Sequence, residues 1–105
     1  MSSSGEGVEG RFVYILTNSK MPGIVKIGST RLHPIQRARQ LSSSTGVPAQ
    51  FQVIAFQRFE DELRAERELQ ARFNRYRVDA RREFYELTAE EAQEALLGLQ
   101  RETYT

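Results

Sequence analysis

The chain contains no cysteine and no tryptophan, only three prolines, and a single histidine among its 105 residues. Without cysteine there is no disulfide framework, no cysteine-ligated zinc or iron–sulfur cluster, and no thiol nucleophile. One histidine supports neither a Ser–His relay nor a multi-histidine metal site, so any metal would be held mainly by oxygen ligands. Long hydrophobic runs are missing as well: no stretch approaches the roughly 20 apolar residues that span a bilayer. The opening MSSSGEGVEG has neither the basic nor the apolar region of a signal peptide, so the expected location is the cytoplasm. The phosphate loop, the dinucleotide fingerprint, HExxH and the nucleophile elbow are all absent.

What remains fits one modest domain, since a chain of this length buries roughly 60–68% of its unfolded surface in a single core. The net charge of +1 conceals two blocks. Residues 31–82 carry eleven Arg against six acids, whereas residues 83–105 carry six Glu and one Arg. Arg outnumbers Lys thirteen to two, and the guanidinium fork suits bidentate phosphate contacts. A compositional bias explains the count equally well, but bias alone does not sort charge into blocks.

Residues 1–10 offer almost nothing to bury and are expected to be a disordered leader, leaving 11–105 as the domain. RFVYILT and IVKIGST, separated by NSKMPG, read as a β-hairpin. Side-chain alternation groups Phe12, Tyr14 and Leu16 on one face, and Ile24, Lys26 and Gly28 on another. Whether the two faces coincide depends on register; pairing Leu16 with Ile24 would set Tyr14 across from Lys26. Pro34 opens a short helix to Ser43 with Ile35, Ala38 and Leu41 at helical spacing and Arg37 at the margin of that stripe. His33, just before it, reads as a surface loop residue.

After TGVPA, FQVIAFQRF predicts a third strand and residues 61–77 a helix with a stripe of Leu63, Leu69, Phe73 and Tyr76. REFYEL follows as a short extended piece, in which Arg82, Glu83, Phe84 and Tyr85 suggest an edge strand. Thr88 and Glu91 form a capping box for a last helix bearing Ala92, Ala95, Leu96 and Leu99. The predicted class is α+β: a small three-stranded mixed or antiparallel sheet flanked by helices, with a ββαβα core and a C-terminal helix.

Glu66 falls inside the apolar stripe of the second long helix. A carboxylate there costs several kcal/mol unless it is paired or coordinated, so either an arginine partners it or it serves as a metal ligand or acid–base group. Tyr14 is equally open, as a half-buried strand aromatic or as a base. Tyr14, Lys26, Arg37 and Glu66 together supply what phosphodiester hydrolysis needs: a base, cations for developing phosphate charge, and an oxygen ligand for a hard metal ion.

In order along the chain, VYIL, VKIG, an Arg-containing helix, TGVP, an E-x-x-L helix and a late REF resemble the GIY-YIG nuclease superfamily. The resemblance is closer to its phage T-five open-reading-frame branch, and it covers residues 11–87. Phe12-Val13-Tyr14 stands where the superfamily has GIY and Lys26-Ile27-Gly28 where it has YIG. Arg37 matches the arginine that binds the scissile phosphate and Glu66 the metal-binding glutamate. Tyr76-Arg77 stands where other branches have Tyr-Asn, and Gln70 where this branch often has His.

The resemblance implies a DNA endonuclease using Mg²⁺ or Mn²⁺ on Glu66. In it Tyr14, or a water it orients, is the base, Lys26 stabilises the phenolate and Arg37 stabilises the phosphate. Gly28, Gln70, Tyr76 and Glu83 are expected to support the site, and Arg39, Arg64, Arg67, Arg72 and Arg75 to follow the nucleic-acid backbone. A solvated helix face explains those arginines too. A domain of this size is expected to cut with little sequence preference, or to rely on a homodimer or a separate specificity partner. Two other classes remain open: a catalytically inactive nucleic-acid-binding module on the same fold, and a protein-interaction domain using the acidic last helix.

Overall fold

The computed structural model describes residues 10–43, 49–78 and 83–104, without the side chains of 100–104. The expected leader through residue 9, most of the TGVPA segment and Arg82 lie outside the described residues. The elements run β1 (Phe12–Asn18), β2 (Val25–Thr30), α1 (Pro34–Ser42), β3 (Phe51–Arg58), α2 (Glu62–Arg72), a single 3₁₀ turn (Asn74–Tyr76), β4 (Phe84–Tyr85) and α3 (Ala89–Tyr104).

The sheet has four strands, all antiparallel, in the order β3-β1-β2-β4, rather than the three expected. REFYEL supplies the fourth. Only two of its residues pair, Tyr85 with Val25 and Phe84 with Lys26. That is too short a run to leave an alternating pattern in the sequence.

β1 is central, and so it is buried on both faces. Val13 and Ile15 face α2 and α3 together with Val25, Ile27, Leu69, Tyr85, Ala92 and Leu96. Tyr14 and Leu16 face α1, packed with Ala38, Leu41, Phe51 and Val53. Each fully buried aliphatic side chain contributes about 1.5–3 kcal/mol, which makes the larger cluster the main source of stability. A bulge in the β1–β3 pairing beside Ile15 and Leu16 changes the parity of β3. Ile54 and Ala55 therefore both pack on the larger cluster, and Phe51, Val53 and Phe56 pair with Asn18, Leu16 and Tyr14.

The hairpin connection turns through Asn18, whose Nδ2 donates to the Ala49 carbonyl at 2.7 Å, and through Gly23 at φ 78°. α1 starts at Pro34, with His33 as its cap: His33 Nδ1 accepts from the Ile35 N–H at 3.2 Å. His33 is thus a helix cap packed on the rings of Phe12 and Phe56, not a free loop residue. α3 carries the expected capping box, with Glu91 N–H donating to Thr88 Oγ1 and Thr88 N–H to Glu91 Oε1, each at 3.1 Å.

α2 departs most from expectation. It ends at Arg72, Leu63 is 51% exposed and Tyr76 43%. The buried face is instead Glu62, Ala65, Glu66 and Leu69, continued by Phe73. Two of its four helical positions are carboxylates, so a reading by hydrophobicity rotates the helix toward Leu63. Glu62 is explained by Arg31, whose Nε lies 3.5 Å from its carboxylate.

Candidate functional site

Register decides which side chains meet. Leu16 pairs with Lys26, so Tyr14 stands opposite Gly28 and not opposite Lys26. A Cβ at position 28 would lie 2.5 Å from Tyr14 Oη, so the phenol occupies space that only glycine leaves open. The Arg37 guanidinium, carried in from α1, is within hydrogen-bonding reach of that hydroxyl. Burial raises the Tyr14 pKa above its ordinary 10; Arg37 opposes the rise, and Glu83 and Glu66 add to it. At neutral pH Tyr14 is a neutral phenol.

Glu66 lies on the other face of the sheet, directed at β2. Ser29 Oγ donates to Glu66 Oε1 at 2.5 Å and Gln70 Nε2 donates to Oε2 at 2.8 Å. The Glu83 carboxylate is close enough to share a proton with Glu66, and Gln70 Nε2 also reaches Glu83 Oε2 at 3.4 Å. Lys26 Nζ meets Glu83 Oε1 at 3.4 Å and stands 5.2 Å from the centroid of the Phe84 ring. Burial, followed by the bond to Glu83, lifts the Glu66 pKa from 4.5 to about 7, while Ser29 and Gln70 pull against the rise.

The two faces communicate around the edge of β2. β4 pairs with Val25 and Lys26, and the Ile27 N–H donates to the Glu83 carbonyl. Past Ile27 the strand runs beyond the end of β4, with Gly28 lacking a side chain and Ser29 aimed at Glu66. Tyr14 feels both Arg37 and the two carboxylates across this gap.

A divalent cation fits this donor set. Two carboxylates lie side by side, and burial together with the bond to Glu83 raises the Glu66 pKa to about 7. The buried Tyr85 hydroxyl, which also feels Glu66 and Glu83, has no hydrogen-bond partner among the described residues. Among those residues no three His, Cys, Asp or Glu side chains cluster, which argues against a closed all-protein cage. An ion such as Mg²⁺, bound by one or two carboxylates and otherwise by water, suits the geometry.

The residues singled out from sequence divide into two groups. Tyr14, Lys26, Gly28, Arg37, Glu66, Gln70 and Glu83 come together. Tyr76 stays outside, half exposed, contributing its carbonyl to the Glu86 N–H. Arg39 is exposed on α1. Arg64 pairs with Glu68 at 3.5 Å, and Arg64 and Arg72 border surface depressions shared with Leu99 of α3, on the flank of α2 away from Glu66. Arg67, one residue past Glu66, is exposed about 100° around the helix from it, on the flank nearer the site. Arg75 is exposed on the 3₁₀ turn.

Ser29 was not evident from sequence, although alternation from Gly28 places it on the face opposite Tyr14. Of the two readings left open for Glu66, the arginine partner is not found among the described residues; a serine, a glutamine and a second carboxylate surround it instead.

The family model of the T5orf172 domain matches residues 11–99. The chain belongs to this family. The match extends past the REF segment through most of α3, so the T5orf172 domain takes in every element of the sheet and all three helices that pack on it. No curated protein and no solved structure gives a significant match to the chain.

Proposed function

We propose that this T5orf172 protein is a GIY-YIG-like endonuclease that hydrolyses DNA phosphodiester bonds with a divalent metal ion. One observation carries the reading: around β2, Gly28 makes room for the Tyr14 hydroxyl, which feels Arg37, while Gln70 joins the Glu66 and Glu83 carboxylates at 2.8 and 3.4 Å and Lys26 pairs with Glu83. A module that only binds phosphate gains nothing from a buried carboxylate paired with a second one at its site, because they repel the ligand.

In this reading Arg37, partly exposed, contacts the scissile phosphate and stabilises the charge that grows on it. Tyr14 keeps its proton and is 2% exposed, so it serves as a positioning residue: its hydroxyl lies within reach of the guanidinium, whose Nη1 donates to Gln40 Oε1 at 3.1 Å, and would orient it toward the phosphate. Glu66 and Glu83 would hold Mg²⁺ or Mn²⁺, which supplies Lewis-acid stabilisation of phosphate charge when bound. Gln70 bridges the two carboxylates, Ser29 fixes the Glu66 rotamer, and Lys26 neutralises Glu83 instead of a phenolate. Arg67, exposed on the flank of α2 nearer the site, would follow the DNA backbone.

A non-catalytic binding module is the second reading, favoured by the burial of Tyr14. Cleavage of supercoiled plasmid and single-stranded DNA with Mg²⁺ or Mn²⁺ separates the two. The nuclease loses about a hundred- to a thousandfold in rate in a folded Arg37→Ala variant, and less in Tyr14→Phe. Binding without any cutting by the wild type would leave the module.

A further inference from the structure

α1 and β3 enclose a second concavity, a groove of about 650 Å³ that contains none of the catalytic candidates. Its volume falls within the roughly 300–1,000 Å³ of small-molecule sites. The floor is aromatic: Phe51 and Phe56 lie along β3, with Ile35 on the helical wall. Phe56 is 38% exposed, yet edge contacts with Phe12 at 5.7 Å and His33 at 5.2 Å hold its ring in place. The rim carries Gln52 and Ser43, and among the described residues its single charged side chain is Arg39. Among the described residues no carboxylate lines it.

The groove adjoins the site through α1 and Phe51. α1 presents Arg37 to Tyr14 on one flank and Arg39 to the groove on the other. Phe51 stacks on Phe84 at 6.3 Å, and Lys26, the partner of Glu83, stands over the Phe84 ring. A strand with its phosphate at Arg37 therefore has a neighbouring nucleotide within reach of the groove.

We propose that the α1–β3 groove binds one unpaired nucleobase of the substrate strand adjacent to the scissile phosphate. The proposal rests on the nuclease reading and deepens it, because it makes single-stranded or locally melted nucleic acid the substrate. Aromatic rings accept the face of any base, the amide and hydroxyl rim meets its polar edge, and Arg39 meets the flanking phosphate. A protein side chain would find the apolar floor suitable but gains nothing from a lone rim cation without a carboxylate.

The test measures binding of the full chain in EDTA, where no cleavage occurs, by fluorescence anisotropy. The probes are a single-stranded oligonucleotide, its blunt duplex, and the single strand with abasic sites replacing successive bases. Tighter binding of the single strand is expected, together with a loss of about tenfold when one particular base is removed. Phe56→Ala should erase that dependence on the base, and so should Arg39→Gln in part, a variant at an exposed position that leaves the core untouched.

Equal affinity for duplex and single strand, or indifference to every abasic position, overturns the proposal. Parallel cleavage assays with Mg²⁺ keep the two readings apart. Cutting without base dependence sinks the groove and spares the nuclease, whereas base-dependent binding without cutting supports the groove and sinks the nuclease. Failure to bind any of the probes contradicts both.

Discussion

Glu66 is the residue on which the proposed chemistry and the stability of this protein oppose each other. Its pKa is raised from 4.5 to about 7, so between those values the native state holds a proton that the unfolded chain has released. Stability without metal is therefore highest below about pH 4.5, as far as this group is concerned, and falls as pH rises toward 7. Glu66→Gln keeps the acceptor for Ser29 and places an amide beside Glu83. The variant should melt at a higher temperature than wild type at pH 8, lose the slope between pH 5 and 7, and be inactive. Thermal melts across that range check it, and an unchanged slope would show that another group titrates. Gly28 makes the complementary point. Gly28→Ala drives a Cβ into a phenol that is itself buried, and should cost about 1–3 kcal/mol in urea unfolding. The cleavage rate should fall with it, because the displaced hydroxyl no longer positions Arg37.

At the scale of elements, the hairpin, the position of α1 and the capping box of α3 could be read from the chain, because each rests on local signals. Those signals are β-branched runs around a turn, a proline at a first helical turn, and a Thr-x-x-Glu pattern. Three features could not be read locally. The β1–β2 register is set by the turn from Asn18 to Gly23, and a two-residue slip exchanges Gly28 for Lys26 opposite Tyr14. The rotation of α2 is set by long-range partners, since Arg31 and Ser29 make Glu62 and Glu66 acceptable inside while Leu63 remains out. The fourth strand consists of two residues whose pairing exists only once β2 is in place. The site residues were legible as types through the family resemblance, but Ser29 and the partnership of Glu66 with Glu83 needed the register. One consequence belongs to this scale: Thr88→Ala removes both bonds of the Thr88 hydroxyl to Glu91 while keeping the backbone N–H bond to its carboxylate, and should cost about 1 kcal/mol in urea melts, leaving cleavage untouched, since no described side chain of α3 reaches the site.

Across the whole molecule, the charge blocks of the sequence become distinct surfaces. The exposed Glu90, Glu91 and Glu94 lie on α3, and the arginines of α2 divide between two flanks. Only the flank of Arg67 adjoins the site, so Arg67→Ala should reduce the slope of log Kd against log salt by about one for DNA. Arg64→Ala, whose guanidinium is engaged by Glu68 on the α3 side, should leave that slope unchanged. Equal effects would mean that DNA covers both flanks. Among the described residues no helix is long and apolar enough to cross a membrane.

The central claim is that the Glu66–Glu83 pair holds the metal ion with which Arg37 promotes phosphodiester hydrolysis. Single-turnover cleavage of labelled DNA, followed from pH 5.5 to 8.5 at several Mg²⁺ concentrations for wild type and Glu66→Gln, tests it most directly. Proton and metal compete for the same carboxylate, so the wild-type rate at low Mg²⁺ should rise with pH through about 7, and the midpoint should move downward as Mg²⁺ increases. Folded Glu66→Gln should be inactive throughout. Cleavage that survives in Glu66→Gln, or a wild-type midpoint that ignores Mg²⁺, would contradict the assignment of this pair as the metal site.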